Sequence, residues 1–160
     1  MESRYYAIPY LSAELILFPD KQSARDWKDE QFPRFENAAV RKIPSEKVAE
    51  RHVYKAVREA NILRRQVGQW AREGLLETAL RRAGDYLRAR ARVHDAYIEQ
   101  EIARMIGHYD FQSGSYQHAH LEDTDAIRKY LFFSRKCRED ASLEDRRVEI
   151  LKHAAPELFK

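Results

Sequence analysis

SEKVAERHVYKAVREANILRRQVGQW, residues 45–70, decides the fold. Ala49, Val53, Ala56, Val57, Ala60, Leu63, Val67 and Trp70 recur at steps of three and four, which sets them on one stripe of an α-helix. Ser45 after Pro44 is the expected N-cap, because its hydroxyl can accept from a first-turn amide that has no intrahelical partner. Gly74 is the expected stop. The same stretch is rich in positive charge. Between Arg51 and Arg65 stand Arg51, His52, Lys55, Arg58, Arg64 and Arg65, against the single acid Glu59.

Outward from this helix, a second one is expected from about Leu75 to Met105. Its stripe is Leu76, Ala79, Leu80, Ala83 and Leu87, then Val93, Tyr97, Ile102 and Met105. Gly84 weakens it and Arg90 interrupts the stripe, so a kink or a partner contact is expected near residues 84–90. The short connection at Gly74 makes the two helices antiparallel neighbours. A polar loop, GHYDFQSGSYQHAH, follows over residues 107–120. Asp123 or Thr124 then caps a third helix running through Arg138, with Ile127, Tyr130, Leu131 and Phe133 or Ser134 facing inward. Ser142 with Asp145 three residues later resembles a capping box for a short final helix bearing Leu143, Ile150 and Leu151, which ends before Pro156.

The fold class expected is therefore all-α: a small antiparallel bundle of two long helices and one or two shorter ones. Its divisions are an extended aromatic N-terminal arm over residues 1–44, the bundle over 45–138, and a short helix with a tail over 139–160. In the arm, Tyr5, Tyr6, Ile8, Tyr10, Leu11 and Leu15–Phe18 form an apolar cluster closed by Pro19-Asp20. Residues 12–18 fit a short helix or a strand equally well. SARDWKDEQFPRF suggests one or two helical turns ended by Pro33. Such an arm is expected to lie over the main domain or over another protein, and to be open to protease.

Composition narrows the class. A chain of 160 residues fits one domain. Five Gly and five Pro are too few to punctuate a many-stranded β fold. One cysteine, Cys137, excludes an internal disulfide and points to a reducing compartment. The opening MESRYYAIPY lacks the pattern of a secretory signal, and the longest apolar run, Leu15–Phe18, is far too short for a bilayer. The net charge of +3 conceals an asymmetry: residues 51–92 hold eleven Arg or Lys and four acids, so the remainder is net acidic by four. Basic charge gathered in one segment suits an acidic protein, a phosphate backbone or an anionic membrane.

Candidate chemistry is sparse. His118 and His120, followed by Glu122, Asp123 and Asp125, are the best metal-ligand candidates, since imidazole and carboxylate suit a divalent ion and a strand would put both imidazoles on one face. A small metal-dependent enzyme built on that pair is one alternative function. His52, His94 beside Asp95, and His108 have the ordinary pKa of a general base, but no nucleophile, zincin or phosphate-loop motif accompanies them. Cys137 stands between Lys136 and Arg138, which would lower its pKa if it were exposed. No cofactor is expected, and no enzyme. Arg88, Arg90 and Arg92, two apart on a helix, fan out to several partners or to an RNA backbone. An RNA-contacting accessory protein of a ribosome is accordingly a second alternative.

Val53-Tyr54-Lys55 within RHVYKAVRE resembles the signature of the LYR-motif family of small mitochondrial proteins, with valine for the motif leucine and lysine for its arginine. The phenylalanine that the family carries downstream is absent. The resemblance implies a basic three-helix protein, an accessory or assembly component of a respiratory complex such as complex I, on the matrix side of mitochondria. It also implies an acidic acyl carrier protein as a partner. Tyr54 and Lys55 then stand at the motif positions, and Arg58, Arg64, Arg65, Arg88, Arg90 and Arg92 supply the rest of a docking face toward other subunits.

Overall fold

In a computed structural model, residues 4–8, 14–31, 40–106, 117–120 and 125–159 are described. Strand β1 is Tyr5–Ala7, β2 is Glu14–Phe18, helix α1 is Lys21–Gln31, and β3 is Arg41–Lys42. They are followed by α2 Glu46–Arg72, α3 Leu76–Met105, β4 Gln117–His120, α4 Asp125–Ala154 and a single 3-10 turn, Pro156–Phe159. The chain divides into two compact units, one of Met1–Ala49 with Glu99–Lys129 and one of Glu50–Ile98 with Tyr130–Lys160. The helical character expected from periodicity is present. What was unexpected is the sheet.

In the first unit four antiparallel strands lie in the order β3-β1-β2-β4, with Tyr6 opposite Leu17 and Leu17 opposite Gln117. The segment expected as an extended arm thus contributes three paired strands and a helix with a core of their own. Ile16 and Phe18 on one face pack with Ala7, Ala24 and Trp27, while Leu15 and Leu17 on the other are also buried. A strand buried on both faces reads as an unbroken apolar run, which is why LILF showed no alternation. Asp20 caps α1 by accepting from the Ser23 amide at 2.7 Å. The helix is eleven residues long, more than the one or two turns expected, and it sets Trp27 against Phe18 with ring centroids 5.5 Å apart. Pro33 lies outside the described residues. Arg4 closes this unit by donating to the Ile106 carbonyl at 3.0 Å.

The second unit is helical. Helix α2 starts within the residues of the first unit, where Ser45 caps it as expected, its hydroxyl accepting from the Val48 amide at 3.3 Å. At the other end Leu75 N donates to Trp70 O at 2.9 Å and Gly74 N to Ala71 O at 3.2 Å, with Gly74 at φ 77°. This is a Schellman stop, whose left-handed residue is glycine because a side chain there would be strained. The reversal sets the Arg82 guanidinium 5.8 Å from the Trp70 ring centroid. Every residue of the α2 stripe from Val53 to Trp70 is buried or half-buried.

Helix α4 corrects the expected boundary at residue 139. It is one helix of 30 residues, and Ser142 lies exposed inside it rather than capping a new one. Asp145, the supposed capping-box acid, instead accepts from Arg88 of α3. The buried side of α4 in this unit is Ser134, Cys137, Ala141 and Val148, which runs straight across the supposed break. Ser134, not Phe133, is the inward residue of that pair. Asp123 and Thr124 lie outside the described residues. Helix α3 also runs unbroken through Gly84, where a Cβ would come within 2.6 Å of an Asp145 carboxylate oxygen. The glycine therefore marks a close helix–helix approach rather than a bend.

The α3–α4 contact has a strict rhythm. Glu77 pairs with Lys152 at 2.6 Å, Arg81 with Glu149 at 3.4 Å, Arg88 with Asp145, and Asp95 with Arg138 at 2.6 Å. Partner numbers fall along α4 as they rise along α3, so the helices are antiparallel. Between the charges stand Gly84, Ala91 and Ile98 on α3 and Ser134, Ala141 and Val148 on α4, all buried and each seven residues from the next. Small residues at that period let helices approach closely, and the charges fix the register.

Candidate docking face

Helix α2 buries one stripe and therefore presents the opposite one. At about 100° per residue, Arg51, Lys55, Arg58, Ile62, Arg65, Gln69 and Arg72 fall within an arc of about 100°, with Tyr54 at its edge. All of them are exposed. Tyr54 is 72% exposed and Ile62 44%, so the stripe carries apolar surface as well as charge. Arg64 is exposed too, but it projects from the other flank of α2, about 100° from Arg65. The stripe is about 31 Å long at 1.5 Å per residue.

Among the described residues, Arg51, Lys55, Arg58, Arg65 and Arg72 have no ion-pair or side-chain hydrogen-bond partner. The cations of α3 differ. Arg81, Arg82, Arg88 and Arg104 each hold a carboxylate of this chain. Of the three arginines expected to fan outward, Arg88 is committed to Asp85 and Asp145, and Arg90 lies 6.0 Å from the Tyr86 ring centroid. Arg92 alone of the three is exposed with no partner among the described residues. The candidate face thus gathers Tyr54, Lys55, Arg58 and Arg65, and leaves Arg64 on another side of α2 and Arg88, Arg90 and Arg92 on α3. Ile62 and Arg72 belong to it although the charge density of residues 51–65 did not single them out, and Arg51, counted in that charge, belongs to it too. Their signal was the seven-residue spacing of Arg51, Arg58, Arg65 and Arg72, legible in the sequence once the exposed side of the helix is known.

The residues considered for chemistry lie apart from this face. His94 is half-buried, stacked beside Tyr130 and Phe133 at centroid distances of 6.3 and 5.5 Å, and its Nδ1 is buried without a partner. Burial holds its pKa below the ordinary histidine value, the nearby Arg90 charge adds to that, and Asp95 opposes it. Asp95 accepts from Ser134 Oγ at 2.5 Å and from Arg138 at 2.6 Å, so it orients α4 rather than the imidazole. Cys137 is buried, so the exposure that an activated thiol requires is not met, and burial pushes its thiol up despite the charges of Arg90 and Arg138. His118 and His120 do lie on a strand, opposite Ile16 and Glu14 in the β2–β4 ladder. Their side chains, and Glu122 and Asp123, lie outside the described residues, as does His108. Among the described residues no group of three His, Cys, Asp or Glu is placed to hold a metal, and no helix is long and apolar enough to cross a membrane.

Comparison with protein-family models, with curated proteins and with solved structures finds no match.

Proposed function

We propose that this chain is a non-catalytic structural subunit of a multi-protein assembly, and that the exposed stripe of α2 is where it grips an acidic protein neighbour. The observation that carries this is the contrast in charge pairing. Four arginines of α3, Arg81, Arg82, Arg88 and Arg104, hold carboxylates within the chain, whereas five cations on one side of α2 have no partner among the described residues. Uncompensated charge along about 31 Å of helix raises a positive potential that steers and orients an acidic surface. Tyr54 and Ile62 add apolar area within the same stripe, and buried aromatic and arginine side chains are the usual anchors of protein interfaces. The resemblance at Val53-Tyr54-Lys55 is what suggests a mitochondrial respiratory complex, the matrix side and an acidic acyl carrier protein for this setting.

The test is native isolation of the tagged full chain at low salt. The expected result is a stoichiometric protein complex that dissociates when Arg51, Arg58, Arg65 and Arg72 are changed to Glu while helical circular dichroism is unchanged. A chain that migrates alone with or without those changes overturns the proposal. So does a co-migrating partner that nuclease removes, which would favour the RNA alternative.

A further inference from the structure

Arg51, Arg58, Arg65 and Arg72 are spaced by seven residues, and Lys55, Ile62 and Gln69, four residues after each of the first three, repeat the interval. Steps of four and three in alternation are the rhythm of a helix that pairs with another helix. On an α-helix of 3.6 residues per turn this row drifts by about 20° per heptad, which a partner follows by winding left-handedly. The arginines are about 10.5 Å apart along the axis, two turns at a time.

The chain already contains a completed example. On α3, the positions Glu77, Arg81, Gly84, Arg88, Ala91, Asp95 and Ile98 follow the same alternation, and α4 answers with Ser134, Arg138, Ala141, Asp145, Val148 and Lys152. There the charges meet opposite charges on the facing helix. On α2 the same rhythm is exposed, basic, and without a counterpart among the described residues.

We propose that the α2 stripe is one half of an intermolecular helix pair, and that its occupant is an acidic α-helix carrying carboxylates at seven-residue intervals. This rests on the reading of α2 as a docking face for an acidic protein and specifies the partner's shape and register. A guanidinium matches a carboxylate with two parallel hydrogen bonds, so each arginine defines a position on the partner and not merely a sign of charge. Ile62, mid-stripe, takes an apolar residue of the partner. Nucleic acid fits this row less well. A phosphate backbone has closely and evenly spaced charge, and it offers nothing to Ile62.

The experiment uses the full-length chain and three fluorescent probes read by anisotropy. The first is an alanine-based 28-residue peptide with Glu at every seventh and intervening fourth position and one Leu to meet Ile62. The second has the same composition with its Glu residues five apart, which spreads them around the helix. The third is an RNA hairpin. The expected result is binding of the first peptide at least tenfold tighter than the second, with a gain of peptide helicity. The double variant Arg58→Glu, Arg65→Glu should lose that binding, and a first peptide with Lys at the two facing positions should restore it. The milder Arg58→Gln, Arg65→Gln protein, checked for unchanged helicity, should weaken binding without accepting the Lys peptide. Equal binding of both peptides overturns the heptad register while leaving an acidic partner intact. Binding of RNA alone, or of no probe, overturns the helix partner, and RNA alone also removes the acidic-protein reading.

Discussion

Gly74 illustrates how a single residue sets an element boundary. Its φ of 77° lies where an L side chain is strained, although a Cβ there would meet nothing within 4 Å. Gly74→Ala therefore isolates the backbone cost, expected at about 1 kcal/mol of lost stability in denaturant titration. His94 and Glu77 set the acid side of the stability profile. His94 has a depressed folded pKa, so its neutral form is favoured by folding. Its contribution is complete above about 6.5 and declines as pH falls from there toward the folded value. Glu77 is lowered chiefly by its bond from Lys152, so what it contributes is present above 4.5 and lost as pH falls through the folded value. Thermal midpoints measured at pH 7.5 and 5.5 should fall in the wild type, and fall less in His94→Gln.

Among the elements, α4 gives the most discriminating prediction. Along the seam with α3 it buries the small residues Ser134, Cys137 and Ala141, and it exposes large ones, Phe132 being 62% and Ile150 64% exposed. Ala141→Leu, in the middle of the α3–α4 seam, is expected to cost about 1–3 kcal/mol by overpacking. Phe132→Ser should lie within about 0.5 kcal/mol of wild type. The reverse ranking, by chemical denaturation, would mean that α4 is turned the other way. This inversion also explains what the sequence hid. The α2 stripe was legible because half-buried Val, Leu and Trp side chains flank its buried alanines, and its caps Ser45 and Gly74 are the residues whose chemistry ends helices. The α3–α4 seam was not, because Gly84, Ala91, Ser134 and Ala141 carry no hydrophobic signal, and Leu143, Ile150 and Leu151 drew attention to the solvent side. The charge pairs that register the seam join residues 43 to 75 apart, a separation no local pattern reveals. Each pair is exposed enough to add only about 0–1 kcal/mol, so they act more on alignment than on stability. At the docking face, Lys55, Arg58 and Arg65 were visible as charge density and Tyr54 through the resemblance at Val53-Tyr54-Lys55, whereas the loss of Arg88 to Asp145 required the fold.

For the whole molecule, the sheet changes what residues 1–44 are expected to do. An arm would be cut readily; β2 and α1 share a core in which Trp27 and Phe18 are almost fully buried. Limited proteolysis of the full chain should spare the peptide bonds of residues 14–31, and Trp27→Ala, at a cost of about 3–5 kcal/mol, should open them. Cleavage within 14–31 of the wild type at the rate of an unfolded peptide would contradict this core. The same sheet imposes an order on biosynthesis. Strand β2 pairs with β4, whose residues lie roughly one hundred positions further along the chain. At about 5–20 residues per second, LILF waits on the order of 5–20 s after it is made before that neighbour exists. During translation its outer rim is a bare template for another nascent copy. Codon pace through α2 and α3, or a chaperone that shields residues 14–18, thus becomes a determinant of yield for a protein whose mature form gives no hint of needing one.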